Sequence, residues 1–396
     1  MKILAIETSC DESAVCIIEA TGDFGPGFRF KVLGNALASQ AALHAQYGGV
    51  FPNLAKREHA KALVPLLTQV VQQAGLDLPG SAAPRSPDEL MALLSREPEL
   101  FAQLTPYLAS HAAPDIDCIA VTHGPGLEPA LWVGVNFARA LATAWQKPLV
   151  AVNHMEGHAL LSMVKAPSGH SHILENVGMS EVEFPILALL ISGGHTELVL
   201  SREFGSYDIL GATRDDAAGE AFDKVARLLG LPYPGGPEIS RLAALAREKN
   251  IGADFSLTRP MLHSGDYDFS FSGLKTEVRK LVESHEMTEE FKLQVAREFE
   301  ECVADALIEK TMRAVEEFGT KVVVVGGGVS ANTFIKKRLA ERLAQEGDSA
   351  SLLVPPPEFA TDNALMIALA GYFHAIRKEF AELSALRADG NLALSK

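Results

Sequence analysis

Two histidines stand four residues apart in Asn153-His154-Met155-Glu156-Gly157-His158. On a helix this spacing brings both imidazoles to one face about one turn apart, the spacing of paired metal ligands. The order differs from the His-Glu-x-x-His of zinc proteases, where a Glu directly after the first His acts as general base. Here Glu156 falls two residues on and points off the metal-facing side, and Gly157 weakens the helix. The pattern therefore predicts a metal site without protease chemistry. A third ligand has to come from elsewhere. Asp362 lies in Thr361-Asp362-Asn363, just before an apolar helix expected over Ala364 to Phe373; it either caps that helix or serves as an oxygen ligand. Two imidazoles and a carboxylate with open positions suit zinc or ferrous iron, and the residue types do not choose between them.

Other candidates are acids and glycines. The run Asp215-Asp216-Ala217-Ala218-Gly219-Glu220-Ala221-Phe222-Asp223 reads as the start of a helix that Gly230 ends. Acids in a first helical turn match the helix dipole, which accounts for Asp215 and Asp216. Asp223, two turns in, is a candidate to accept hydrogen bonds from ribose or amino-acid hydroxyls. Glu7, Asp11 and Glu12 occupy a predicted hairpin turn and are either solvated or turned toward a ligand. Gly124-Pro125-Gly126 and Gly326-Gly327-Gly328 each follow an apolar run and precede a helix. Such turns present backbone N–H groups with no side chain in the way, which suits a phosphate or carboxylate.

The elements that position these residues occur twice. Ile3 to Ile6 and Val15 to Ile18 read as two buried strands joined by a polar turn, and Ile186 to Leu189 with Leu198 to Leu200 repeat that pattern. Ser192-Gly193-Gly194 gives the second turn its backbone freedom. A strand over Asp117 to Val121 then leads through Gly124 into a helical stretch from Leu131 to Trp145. The later half repeats this as Val322 to Val325, the three glycines, and a helix from about Asn332 to Leu343. Hairpin, then strand, glycine turn and helix recur in the same order, so the chain is expected to be a duplicated α/β fold of two similar lobes around a cleft. We divide it into an N-terminal lobe, 1–152, and a C-terminal lobe, 153–396, with the last helix packing back on the first. The proline-rich stretch from Leu78 to Pro114 breaks the pattern and reads as an insertion of two short helices, with Ser86 capping the first. Lys165 to Glu183 reads as a loop, and the chain after Ser384 as a frayed end.

Composition narrows the class. Of 396 residues, 47% are hydrophobic and 21% charged, which a disordered chain does not show. No apolar run approaches the roughly 18 residues of a membrane span, and an acid at Glu7 comes too early for a signal peptide. Cys10, Cys16, Cys118 and Cys302 form no Cys-x-x-Cys pair, so a thiolate metal site is not expected. These features predict a soluble cytoplasmic protein. A net charge of −15 excludes a surface that wraps nucleic acid as a whole but leaves room for local basic faces. Three are visible: Lys56, Arg57 and Lys61; Lys275, Arg279 and Lys280; and the Lys336–Arg342 helix. The first is the expected phosphate-contacting face.

Nine stretches together resemble one family: Glu7-Thr8-Ser9-Cys10-Asp11-Glu12, Gly124-Pro125-Gly126-Leu127, His154-Met155-Glu156-Gly157-His158, Ser192-Gly193-Gly194-His195-Thr196, Asp215 to Lys224, Tyr233-Pro234-Gly235-Gly236-Pro237, Ser270-Phe271-Ser272-Gly273-Leu274-Lys275-Thr276, Gly326 to Asn332, and Thr361-Asp362-Asn363. They span nearly the whole chain, and the set is similar to the bacterial tRNA N6-adenosine threonylcarbamoyltransferases, formerly called glycoproteases. The resemblance implies the actin-like, sugar-kinase-like fold. It implies transfer of a threonylcarbamoyl group from threonylcarbamoyl-AMP to N6 of the adenosine 3′ to the anticodon in tRNAs reading A-starting codons. It implies that His154, His158 and Asp362 bind one divalent metal, Fe(2+) ahead of Zn(2+). It also implies that Leu190, Ile191, Ser192, Gly193 and Gly194, with Asp223, Gly236 and Asn332, contact the adenylate. A paralogous partner subunit and a small P-loop ATPase are the implied partners. Asp11 or Glu12 would take the amine proton. The competing readings are a metal-containing small-molecule kinase of the same fold and a non-catalytic partner subunit.

Overall fold

The computed structural model describes residues 1–82, 87–165, 174–345 and 350–394. Ser86, the expected cap, lies outside the described residues. The chain opens with three strands, β1 (Lys2–Glu7), β2 (Glu12–Thr21) and β3 (Arg29–Ser39). Helices α1 (Ala41–Ala45) and α2 (Pro52–Gln73) follow, then α3 (Pro87–Leu93) and α4 (Pro98–Ser110), the two helices of the insertion. Next come β4 (Cys118–Gly124), α5 (Glu128–Trp145), β5 (Leu149–Asn153) and α6 (His154–Ser162). The later half has β6 (Ile186–Ile191), β7 (Thr196–Glu203), β8 (Ser206–Ala212), α7 (Ala218–Leu228), α8 (Gly235–Glu248), α9 (Ser272–Ser284), α10 (Glu289–Phe318), β9 (Val322–Gly326), α11 (Thr333–Gln345), β10 (Ser351–Leu353) and α12 (Ala364–Ile376).

The two five-stranded sheets have the same plan. The first runs β3-β2-β1-β4-β5 and the second, written from the other end, β8-β7-β6-β9-β10. In each, a central strand pairs antiparallel with the next strand in sequence and parallel with one that arrives later, as Ile3 opposite Ile18 and Cys118, and Ile186 opposite Ser201 and Val322. The central strands are buried on both faces and read as continuous apolar runs for that reason. This is the duplicated α/β architecture that the repeated order of elements in the sequence leads one to expect.

By their contacts the residues form two units. One contains 1–43, 50–181 and 362–393; the other contains 44–49, 182–361 and 394–396. The core of the first joins β1, β2 and β4 to α2 and α5 through Leu63, Leu67, Leu131, Val135 and Leu141, with Leu100, Leu104 and Leu108 of α4 in the insertion. The core of the second packs β6 and β7 against Phe222, Val225, Phe299, Val303 and Leu307. Among the described residues, no helix is long and apolar enough to cross a membrane.

Three sequence expectations change. Helix α5 begins at Glu128 rather than Leu131, with Pro129 accommodated in its first turn, where no amide donor is needed. Helix α7 begins at Ala218, leaving Asp215 and Asp216 outside it. Residues 385–394 are docked rather than frayed: Leu386 and Ala388 are buried in the first unit's core, and Asp389 N donates to His123 O at 2.8 Å.

Helix α12 lies on the first sheet so closely that a Cβ on Gly371 would stand 2.4 Å from the Cβ of Ala120 on β4. Gly371→Ala is therefore expected to destabilise the protein by about 1–3 kcal/mol through overpacking, despite alanine's better helix propensity. Equilibrium denaturant unfolding checks this; an unchanged or raised midpoint contradicts the packing.

Candidate metal centre and glycine-lined pocket

Helix α6 starts directly at the end of β5, and Asn153 caps it: its Oδ1 accepts from Met155 N at 2.9 Å and Glu156 N at 3.4 Å. The cap sets His154 in the first turn and His158 one turn on, their rings edge-to-face with centroids 4.6 Å apart. Their Nε2 atoms lie 3.1 Å apart, and Asp362 Oδ1 lies 3.0 Å from that of His158 and 3.4 Å from that of His154. Asp362 has no capping duty, because Asn363 caps α12 by accepting from Met366 N at 3.2 Å. The sequence left Asp362 between cap and ligand; its neighbour takes the cap. Gly157, counted as a weakness of the helix, has a use here. A Cβ on it would come within 3.2 Å of Met366 Cγ, so glycine lets α6 and α12 approach and bring the three side chains together.

Glu7, at the end of β1, completes the arrangement. Its Oε2 contacts His154 Nδ1 at 3.1 Å and accepts from Thr122 Oγ1 at 2.5 Å, while Oε1 accepts from Ser9 N at 2.5 Å. A carboxylate at Nδ1 makes that nitrogen the N–H and directs Nε2 at His158 and Asp362, where it offers a lone pair whenever the ring is neutral. Two imidazole nitrogens and a carboxylate oxygen thus converge in a buried place with too little positive charge among them. The titration shifts express the same demand. Burial alone would lower the His154 pKa, but Asp362 and Glu7 outweigh it and lift it to about 10. Burial would raise Asp362, yet His154 and then His158 hold it well below the usual carboxylate range. Burial lowers His158. The nitrogen and oxygen donors all lie within 4.8 Å of one another and fit a divalent metal.

Asp11 and Glu12 follow in the same unit. Burial, then Asp362 and Asp11, push the Glu12 carboxyl up to about 9, and Ser39 Oγ donates to it at 3.2 Å. Glu156 leaves the metal side, as its spacing predicts, and its Oε2 meets His374 Nε2 at 2.7 Å; the other ring nitrogen of His374 meets Glu379 at 2.5 Å.

The remaining site residues assemble in the second unit. Leu190 and Ile191 are buried in β6, so only their backbone can meet a ligand. In the following turn the Ser192 Oγ accepts from Gly194 N and His195 N. Helix α7 is seated on this turn: Gly219 leaves no room for a Cβ beside Ser192 O, and Ala218 N donates to Thr196 Oγ1 at 2.9 Å. One turn into α7, Asp223 Oδ1 accepts from Gly235 N at 2.7 Å and so holds the start of α8. From α8, Ser240 Oγ accepts from Asn332 Nδ2 at 2.9 Å, and Gly327 closes the circuit by lying against Ile191 O. Around this ring Gly193, Gly194, Gly236 and Gly328 have open space where a Cβ would be. Such open backbone is what close approach of a phosphate or carboxylate requires.

Asn332 also has structural duties. Its Oδ1 accepts from Ile335 N to cap α11, and its Nδ2 donates to the buried Glu300 at 2.8 Å. Asp215, read as a helix-dipole acid, instead holds the start of α9: its Oδ1 accepts from Phe271 N and Ser272 N, its Oδ2 from the Ser270 and Ser272 hydroxyls. Asp216 pairs with Lys224 at 2.6 Å. Sequence reasoning missed Thr122 and His374 and left Glu7 undecided. The signal for Glu7 was present: an acid ending an otherwise apolar strand needs a partner.

A model of the family described as tRNA N6-adenosine threonylcarbamoyltransferase matches residues 31–80 and 108–369. A protein of that name from Nitrosospira multiformis is 41% identical over 387 residues, covering 98% of this chain and 94% of its own. Another of that name, from Ralstonia pickettii, is 44% identical over 378 residues, covering 94% and 90%. Among solved structures, a ROK hexokinase from Thermus thermophilus matches with a TM-score of 0.39 and 15% identity over 95% of this chain and all of its own.

Two predictions follow from this geometry. His154→Ala and Asp362→Ala are expected to lose bound metal while keeping the far-ultraviolet circular dichroism of the wild type; unchanged metal content in both, by mass spectrometry, contradicts the ligand assignment. The second concerns His374. Burial lowers its pKa, but Glu156 and Glu379 reverse this and raise it from 6.5 to about 9. A raised histidine pKa contributes stability that is complete below about 6.5 and lost as pH climbs through about 9. The stability gap between wild type and His374→Gln is accordingly largest in mild acid and shrinks in alkali. A gap that widens with pH contradicts it.

Proposed function

The chain belongs to the tRNA N6-adenosine threonylcarbamoyltransferase family, and from that premise we propose a donor, a metal and a division of labour among its residues. It is a transferase acting in t6A formation on tRNA; the kinase and non-catalytic readings give way to this assignment. We take the donor to be threonylcarbamoyl-AMP, with its adenylate in the glycine-lined ring of the second unit. The observation that carries the rest is the convergence of His154, His158 and Asp362 with Glu7 behind them.

The donor is a mixed anhydride, already activated by its AMP leaving group, so no enzyme nucleophile is required. The N6 amine of adenosine attacks the carbamoyl carbon, the C–N bond forms, the C–O bond to phosphate breaks, and one amine proton leaves. The amine is a poor nucleophile, so positioning and charge stabilisation supply most of the rate. Open backbone at Gly193, Gly194 and Gly328 lets N–H groups approach the departing phosphate. Asp223 and Asn332 shape the pocket by fixing the starts of α8 and α11. Asp11 is our candidate to accept the amine proton. Glu12, raised to about 9 by burial and then by Asp362 and Asp11, suits donation better than acceptance. His154, His158 and Asp362 would hold a divalent metal, and the chemistry it would supply when bound is that of a Lewis acid. Glu7 orients His154 for it. We take the metal to be Fe(2+), with Zn(2+) the alternative; the absence of a thiolate among the three side chains is compatible with both. We further propose a cytoplasmic enzyme working with a paralogous subunit and a small P-loop ATPase, on the strength of the family resemblance.

Nucleoside analysis of tRNA tests the reading: cells depleted of this protein lose N6-threonylcarbamoyladenosine and regain it with the wild-type gene but not with His154→Ala. Undiminished modified nucleoside in depleted cells contradicts it. The pocket has its own check. Asn332→Ala is expected to cost about 1 kcal/mol of stability through the lost helix cap and also to weaken adenylate binding, whereas an α11 capping loss placed elsewhere would leave the adenylate alone. Calorimetry with adenylate under conditions where the variant is folded decides it, and unchanged affinity removes Asn332 from the pocket.

A further inference from the structure

Most helix cations in this chain are spent on neighbouring groups. On α2, Lys56 meets the buried Glu97 at 3.4 Å and Lys61 meets Glu58 at 2.6 Å, so of the basic face expected there Arg57 alone keeps no carboxylate beside it among the described residues. On α11, Lys337, Arg338 and Arg342 pair with Glu341, Asp305 and Glu309. Lys224, Arg241, Arg247, Lys292 and Arg297 are paired as well. Helix α9 is different. Its Lys275, Arg279 and Lys280 have no carboxylate within ion-pairing distance among the described residues, although Glu277 and Glu283 share the helix. Glu277 is turned to Thr258 N, which donates to it at 2.9 Å. Leu274 and Val278 bury the inner face of α9, and Arg279 and Lys280 are exposed with Lys275 half-buried.

Resting on the assignment of tRNA as substrate, we propose that α9 is a docking face for the phosphate backbone of tRNA. In a chain of net charge −15, long-range attraction to a polyanion is poor, so binding requires cations that carry no carboxylate of their own to the interface. Lys275 and Arg279 stand at i and i+4 on one helix face, and Lys280 lies about 100° further round the helix, so the three cover one side of its exposed surface. The helix is also fixed to the pocket side of its unit. Asp215 ties its first residues to the segment leading into α7, and α7 is seated on the Ser192–Gly194 turn. Phosphate held on α9 is therefore held at a defined position relative to the glycine ring. Contacts of this kind set register and affinity without reading base sequence.

The test uses the full-length, metal-loaded protein and a fluorescently labelled, unmodified transcript of a tRNA that reads an A-starting codon. Binding is measured from low to moderate salt for wild type, for the variant Lys275→Gln/Arg279→Gln/Lys280→Gln, and for the charge-keeping variant Lys275→Arg/Arg279→Lys/Lys280→Arg. Three lost phosphate contacts are expected to flatten the plot of log affinity against log salt by about 2 to 3 and to weaken binding at low salt at least about tenfold. The charge-keeping variant is expected to retain the wild-type slope, with metal content unchanged in both. A neutralised variant with wild-type slope and affinity overturns the docking face. So does an equal loss in the charge-keeping variant, or a neutralised variant that binds tRNA normally but no longer assembles with an acidic protein partner. Wild type that binds no tRNA at any salt overturns the substrate reading instead, which keeps the two failures apart.

Discussion

The first unit is organised around the convergence of two imidazole nitrogens and a carboxylate oxygen in a buried place. Left without a cation, such a cluster is unfavourable, because lone pairs and a negative charge face one another with little water to screen them. The fold must hold it together from three directions: α6 for His154 and His158, the start of α12 for Asp362, and the end of β1 for Glu7. Each direction is fixed by an ordinary device. Asn153 and Asn363 cap the two helices, Gly157 admits α12, and Thr122 holds Glu7 from the neighbouring strand. Placing caps on Asn153 and Asn363 releases the adjoining His154 and Asp362 for chemistry. Glu156, between the two histidines in sequence, is drawn away by His374, so it adds no further negative charge to the cluster.

The two sheets share a plan but their glycine turns have parted. In the second unit Gly193, Gly194 and Gly328 face open space. In the first, the equivalent turn is filled by the protein itself. A Cβ on Gly124 would meet Asp389 O at 2.0 Å, and one on Gly126 would meet Ser9 O at 2.6 Å. Gly126 N donates its hydrogen bond to Gly390 O rather than to a ligand. Glycine there serves close packing of chain on chain, as Gly327 still does against Ile191 O; Gly193, Gly194 and Gly328 of the second unit leave their backbone open. The same residue type in the same place in a repeat therefore supports two different conclusions, and only the surroundings decide between them.

That difference marks how far the sequence could be read. Alternation and run length located the strands, because central strands buried on both faces leave a strong apolar signal; the repeated order of hairpin, glycine turn and helix then identified the duplication. The i,i+4 histidines were legible because a helix fixes their relation locally. Asp362 was ambiguous, since cap and ligand look alike until Asn363 is seen to take the cap. Thr122, His374 and the filled turn at Gly124 were not legible: each depends on a partner more than a hundred residues away, as Glu7, Glu156 and Asp389 are. The pairing of a basic residue was hidden too, over a shorter span. Lys56 looks like a free cation until Glu97 arrives from the insertion to meet it.

The insertion and the tail thus share a role that composition concealed. Both look dispensable in sequence, one proline-rich and one short of apolar periodicity, yet each ends on a buried element of the first unit. Helix α4 brings Leu100, Leu104 and Leu108 into the core, and its start carries Glu97, which accepts from Asn136 Nδ2 at 3.0 Å on α5. The tail brings Leu386 and Ala388 into that core and closes on the turn after β4. It then reaches the start of α6, where Asn153 Nδ2 donates to Ala393 O at 3.2 Å. Asn153 is therefore held at both ends of its amide, capping α6 with the oxygen and bound to the tail with the nitrogen. The cap that sets His154 in place is thus itself tied to a segment more than two hundred residues away.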